Sequence, residues 1–148
     1  MDGAKYSRSY SRVDLRRTGP KITVTIGHPK ATRALAHKKG VELQKPLRVE
    51  ALIDTGASRT VINPQVAASR GLQQTGLVRI SSAGHITERQ EFVGAIHFPG
   101  QQLREFDPTS LVACPLPEQD VSCLLGRDVL ERWSLMYDGR SGLVEVEE

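Results

Sequence analysis

Ala51-Leu52-Ile53-Asp54-Thr55-Gly56-Ala57-Ser58, with Arg59-Thr60-Val61-Ile62 behind it, sets one carboxylate on a tight loop at the end of an apolar strand. A carboxylate placed there can take part in amide hydrolysis without a covalent intermediate. One carboxylate takes a proton from water while a neighbouring carboxylic acid donates one to the carbonyl oxygen. The reaction needs two carboxyls, close enough to share a single proton over a broad pH range. Thr55, small and hydroxylated, can hydrogen-bond across to a partner loop. Gly56 lets backbone approach backbone and substrate where a Cβ would collide. Ser58 can reach the outer oxygen of Asp54. As a bare tripeptide, Asp-Thr-Gly is also an ordinary turn. The apolar residues before it, and the Ala-Ser and Val-Ile that follow, separate the two readings.

A second segment lies downstream, Cys123-Leu124-Leu125-Gly126-Arg127-Asp128-Val129-Leu130. Alone it reads as a strand-to-helix junction, with Asp128 near a helix N-terminus where negative charge is favourable. Together the two segments resemble the retropepsin-like aspartic proteases, and the cellular and bacterial members more than a viral polyprotein fragment. The resemblance runs from about Ile22 to the C-terminus. It implies an all-β fold, a closed β-barrel with a short C-terminal helix that acts as a two-fold homodimer. It implies catalytic roles for Asp54, Thr55 and Gly56, and substrate contacts for Ala57, Ser58, Ser82, Ala83, Gly84, His85 and Leu125. It also places the Leu125 strand beneath the catalytic loop, with Gly126 permitting close contact. Viral members usually carry acidic residues just after Asp-Thr-Gly-Ala, where they pair with the arginine of the second segment. This chain has Ser58 and Arg59 there, so Arg127 lacks that partner.

With 148 residues the chain is one domain, too short for two catalytic lobes. Only one Asp-(Thr/Ser)-Gly is present. If the chemistry needs two carboxyls, the second must come from another copy, and two-fold dimers are the commonest oligomers.

The elements that must position these residues read as follows. Lys21 to Gly27 alternates and is β-branched, so it is the first strand. Residues 31–40 form a short helical insertion or a long loop. Leu47 to Ile53 is the strand that delivers Asp54. Asn63-Pro64 and Gly71 bound a short helix over 64–70. Leu77 to Ser82 and Ile86 to Val93 are two strands around a tip at Ser82-Ala83-Gly84-His85. That tip is a flap over substrate or an ordinary hairpin end, which local sequence cannot separate. Strands follow at 101–106, 110–114 and 121–125, then a helix over 127–133 and a hairpin of 134–138 with 143–146. Many short strands with turn signals between them fit a barrel.

The net charge of +3 owes much to Lys5, Arg8, Arg12, Arg16 and Arg17 in the first twenty residues. That segment lacks apolar periodicity and reads as a flexible basic tail over 1–20, ahead of the protease domain at 21–148. A nucleic-acid-binding module would need an aromatic-lined basic face, and aromatics are sparse, so no nucleic-acid partner is expected. Neither cysteine falls in a ligand spacing and the four histidines do not cluster, so no metal or other cofactor is expected. Cys114 and Cys123 could face each other across a hairpin but read as buried free thiols. No signal peptide or membrane span is visible, which gives a cytoplasmic expectation. The function expected is a homodimeric aspartic endopeptidase acting on peptides or proteins. The competing reading is a dimeric peptide- or protein-binding module of the same fold with little proteolysis.

Overall fold

The computed structural model describes residues 5–117 and 120–148. In chain order its elements are β1 (Lys5–Ser9), α1 (Arg12–Thr18), β2 (Lys21–Gly27), α2 (Lys30–Lys38), β3 (Leu47–Ile53), β4 (Val61–Ile62) and α3 (Pro64–Arg70). Then follow β5 (Gln73–Ser82), β6 (His85–His97), β7 (Phe106–Ala113), β8 (Cys123–Leu125), α4 (Arg127–Leu130), β9 (Ser134–Asp138) and β10 (Leu143–Glu147). The chain is mostly β, as expected, with a short helix after Gly126.

The period of two along β2 decides where the core lies. Ile22, Val24 and Ile26 are fully buried while the residues between them are only partly covered. Burying each such side chain is worth about 1.5–3 kcal/mol. β2 pairs antiparallel with β3, β3 pairs parallel with β8, and the sheet continues through β4, β7, β6 and β5. A short pairing of Thr25–Gly27 with Ala95–His97 returns the ladder to β2. The apolar faces meet in one cluster that includes Ile53, Ile62, Leu111, Cys123, Leu125 and Val129. At one end of it Trp133 stacks edge-on against Phe98 and Phe106.

The first twenty residues are not a flexible tail where the structure describes them. β1 pairs with β10, Tyr6 opposite Val146, in a separate three-stranded sheet completed by β9. Ser11 caps α1 by accepting from the Asp14 N–H at 3.1 Å, and Gly19 ends it at φ 73°. Tyr6 and Leu15 are buried, and the Tyr6 hydroxyl donates to Lys21 O at 2.6 Å. Burial pushes that hydroxyl's pKa up to about 12. Two apolar anchors are too few to register as periodicity, and the strand's hydrogen-bond partner is the far end of the chain.

Other boundaries also move. The strand expected at 101–106 is irregular up to Glu105, and the strand begins at Phe106. α4 ends at Leu130, and tight turns from Arg132 N to Val129 O and from Trp133 N to Leu130 O bring Trp133 into the core. The insertion after β2 is helical as α2, with no buried residue. α3 is bounded as read: Asn63 accepts from Gln65 N, Pro64 opens it and Gly71 closes it at φ 64°. No helix among the described residues is long and apolar enough to cross a membrane.

Candidate active site

Asp54 is the first residue after β3, and the parallel β3–β8 ladder carries the backbone up to it. Ile53 registers with Leu125, and the Asp54 N–H donates to Leu125 O at 3.0 Å. Leu125, itself fully buried, therefore forms the floor beneath the acid. The Asp54 side chain is partly exposed, and its Oδ1 accepts the Gly56 N–H at 2.8 Å. A Cβ at Gly56 would stand 3.2 Å from that same oxygen, tighter than ordinary contact. Thr55, Gly56 and Ser58 are exposed and Ala57 is half-buried, so the loop faces outward. The recorded hydrogen bond on the carboxylate comes from Gly56 and none from Ser58.

The segment after β8 holds the loop from below. Arg127 N donates to Ala57 O at 2.8 Å, and Arg127 Nη1 donates to Thr55 O at 2.7 Å. The arginine left without an acidic partner thus binds the loop's own backbone. Thr60, fully buried, donates from its hydroxyl to Asp128 Oδ1 at 2.7 Å and accepts from Gly126 N at 3.1 Å. The Thr60 N–H donates to Asp128 Oδ2 at 3.0 Å. Asp128 also accepts from Val129 N, so it serves the start of α4 as well as the loop. Gly126 is required by contact. A Cβ there would sit 2.5 Å from the carbonyl carbon and oxygen of Arg59.

Arg59 ties the loop to the neighbouring strands. Its guanidinium pairs with the Glu91 carboxylate on β6 and donates to Ser110 Oγ on β7 at 3.2 Å, while Ser110 Oγ donates to Glu91 at 2.8 Å. The Arg59 guanidinium, helped by Ser110, holds the Glu91 carboxyl below the usual glutamate range. Sequence reasoning missed this triad, because its members lie on three segments and, of the three, only Arg59 adjoins a motif.

β5 and β6 are longer than expected, and the β6 residues before Glu91, 85–90, pair with β5 alone. The result is a two-stranded arm with Ser82 opposite His85 and a tip at Ala83 (φ 48°) and Gly84 (φ 81°). Ala83, Gly84 and His85 are exposed, as are Leu77 and Ile86 along the arm. The Ser82 side chain lies outside the described residues.

A cavity of about 770 Å³ opens beside the acid. Its walls come from the α1–β2 junction (Arg17, Thr18, Gly19, Pro20), the end of β3 with Asp54 and Thr55, and Pro117, Asp120 and Val121. Asp120 is ion-paired to Lys21, which holds its carboxyl below the usual range. The contribution of α1 to this cavity could not be read from a segment taken for a tail.

The histidines do not converge. His28 Nε2 lies 2.8 Å from Arg70 O and His97 faces Glu105 at 3.1 Å. Among the described residues no group of three or more His, Cys, Asp or Glu could hold a metal ion. Both cysteines are free: Cys123 is buried, which pushes its thiol pKa up, whereas Cys114 is partly exposed rather than buried as expected. Glu118 and Gln119, in the loop between them, lie outside the described residues.

A family model described as "gag-polyprotein putative aspartyl protease" matches residues 40–132, more than half of the chain and both motifs. The chain belongs to this retropepsin-like aspartic protease family. Among solved structures, a retropepsin-like aspartic protease from Rickettsia conorii is similar at 16% identity and TM-score 0.52, covering 96% of this chain and 89% of that one. The EIAV protease in complex with the inhibitor HBY-793 is similar at 20% identity and TM-score 0.44, over 76% of this chain and 86% of that one. The retroviral protease-like domain of Ddi1 from Leishmania major is similar at 16% identity and TM-score 0.40, over 80% of each chain. No curated protein matches. As in the family motif, Asp54 of this aspartic protease homologue sits on the loop between the β3 and β4 strands.

Proposed function

We propose that this protein is an aspartic endopeptidase in which two Asp54 carboxyls, one from each of two copies, activate a single water for attack on a peptide carbonyl. The observation that carries the reading is the support of Asp54. Its loop is held by Leu125 from β8 and by Gly126, Arg127 and Asp128 behind it, while the carboxyl is left open to a cavity. A loop clamped by six directed hydrogen bonds to one segment fixes the acid in place, which is what positional catalysis requires.

One copy supplies one carboxyl, so the pair calls for a dimer. The β9 edge opposite β10 pairs with no strand among the described residues and carries exposed Met136 and Tyr137, which offers a second copy an edge to join. With one proton shared by the pair, the ionised carboxyl takes a proton from water and the other donates its proton to the carbonyl oxygen. The resulting diol collapses and the amine leaves with a proton returned from the pair. Thr55 and Gly56 shape the loop. Ala57, Ser58 and the arm from Ser82 to His85 form the substrate surface, with the arm closing over an extended peptide; Leu125, expected to touch substrate, is fully buried and supports the loop from beneath instead. A two-stranded hairpin without further partners is marginally stable by itself, so the arm is suited to move.

The test is incubation of the purified protein with a diverse peptide library at several pH values, beside an Asp54→Asn variant. Cleavage by the wild type and its loss in a folded Asp54→Asn protein support the assignment. Equal cleavage by both removes Asp54 from the chemistry, and peptide binding without cleavage points to the binding module.

A further inference from the structure

We propose that Arg17 makes the cavity beside Asp54 selective for peptides with an acidic side chain, an inference that rests on the reading of that cavity as the substrate site. Arg17 stands in the last turn of α1 and lines the same cavity as Leu52, Asp54, Thr55 and Asp120. The charges there differ in their freedom. Asp120 is neutralised by Lys21, whereas among the described residues the Arg17 guanidinium has no hydrogen bond or ion pair. Among the described residues that line the cavity, Arg17 is the one cation. A guanidinium can take both oxygens of a carboxylate at once, and Leu52 and Pro117 offer apolar surface to the methylenes of a glutamate.

The next arginine along separates charge from place. Arg16 shares the last turn of α1 but lines a different groove, with Val13 and Tyr137. A general effect of positive charge on α1 would engage both residues; a site effect engages Arg17 alone.

The experiment uses three randomised peptide libraries that differ only in a fixed central Glu, Gln or Lys. Retention on the immobilised full-length protein and cleavage near the fixed position are read together. Wild type should retain the Glu library over the Gln library roughly fivefold at low salt, the upper end for a solvent-exposed pair. Arg17→Gln should bring the ratio to one, Arg17→Glu should favour the Lys library, and Arg16→Gln should keep the wild-type ratio. A ratio unchanged in Arg17→Gln overturns the proposal. So does an equal loss for all libraries with weaker dimerisation, which would make Arg17 a subunit contact. Selective retention without cleavage keeps Arg17's role and removes the hydrolytic reading; no retention of any library removes both.

Discussion

Arg127 reaches from its guanidinium to the carbonyl oxygen of Thr55 at 2.7 Å, while its backbone N–H bonds Ala57 O at 2.8 Å. One residue thereby brackets the Asp-Thr-Gly-Ala loop at both ends. With Ser58 and Arg59 following the loop, Arg127 tethers it through backbone carbonyls rather than through a side-chain carboxylate.

Arg127→Ala should therefore act more on catalysis than on stability. Thr55 is exposed, so water can replace the lost donor, and the expected cost in stability is about 1 kcal/mol. Loss of loop position should lower kcat/KM by about tenfold or more. Arg127→Lys, which keeps charge but not the fork, should recover only part. Thermal unfolding and kinetics on one peptide, measured side by side, check the split; equal effects on both would make Arg127 a plain stabilising residue.

The contacts of Gly126 and Thr60 predict the opposite balance. A Cβ at Gly126 meets the Arg59 backbone at 2.5 Å, so Gly126→Ala must push the loop away and should cost about 2–3 kcal/mol. Thr60→Val keeps the shape but leaves the Gly126 N–H without its acceptor and removes a donor from Asp128, for a cost of about 1–3 kcal/mol. Thr60→Ser should be milder. Denaturant midpoints for the three variants check this order.

Both motifs were legible in the sequence because each is local. An apolar strand, a turn and a glycine occupy consecutive positions, and β3 and β8 could be placed from those residues alone. What could not be read is carried by distant pairs. Arg59 is an exposed-looking cation until Glu91 and Ser110 are brought beside it by β6 and β7. Asp128 fits a helix N-terminus locally, yet its carboxylate also holds Thr60, at the end of the Asp54 loop. Among the described side chains of β1, Tyr6 is the buried one, and pairing with β10 makes the segment a strand. In each case the determining contact joins residues far apart in sequence, 32 positions for Arg59 and Glu91 and 68 for Thr60 and Asp128.

Activity should depend on protein concentration, since one chain provides one Asp54 and the dimer forms by mass action. Dilution should lower specific activity in step with the dimer fraction seen by sedimentation. A change of Met136 or Tyr137 to Lys, on the exposed edge strand β9, should shift both curves together. A monomer with full specific activity would remove the shared pair.

The pH profile carries two separable effects. Two carboxyls facing each other titrate as a unit, one apparent pKa lowered and the other raised, so activity should follow a bell with its maximum on the acidic side of neutrality. Beneath the acid limb lies the Arg59–Glu91 tie between loop and arm. The Glu91 carboxyl is held below its usual range by Arg59, so it binds protons less readily folded than unfolded. Its contribution to stability is complete above the ordinary glutamate pKa and is lost as pH falls through the lowered folded value. Glu91→Gln should then lower stability near neutral pH by about 1 kcal/mol, with the difference from wild type shrinking as pH drops below about 4. The basic limb of the bell belongs to the Asp54 pair and should stay in place in this variant. Unfolding temperature and kcat/KM recorded across the same pH series distinguish the two: activity rising steadily to about pH 9, beyond both carboxyl titrations, would exclude the carboxyl pair as the source of the hydrolysis.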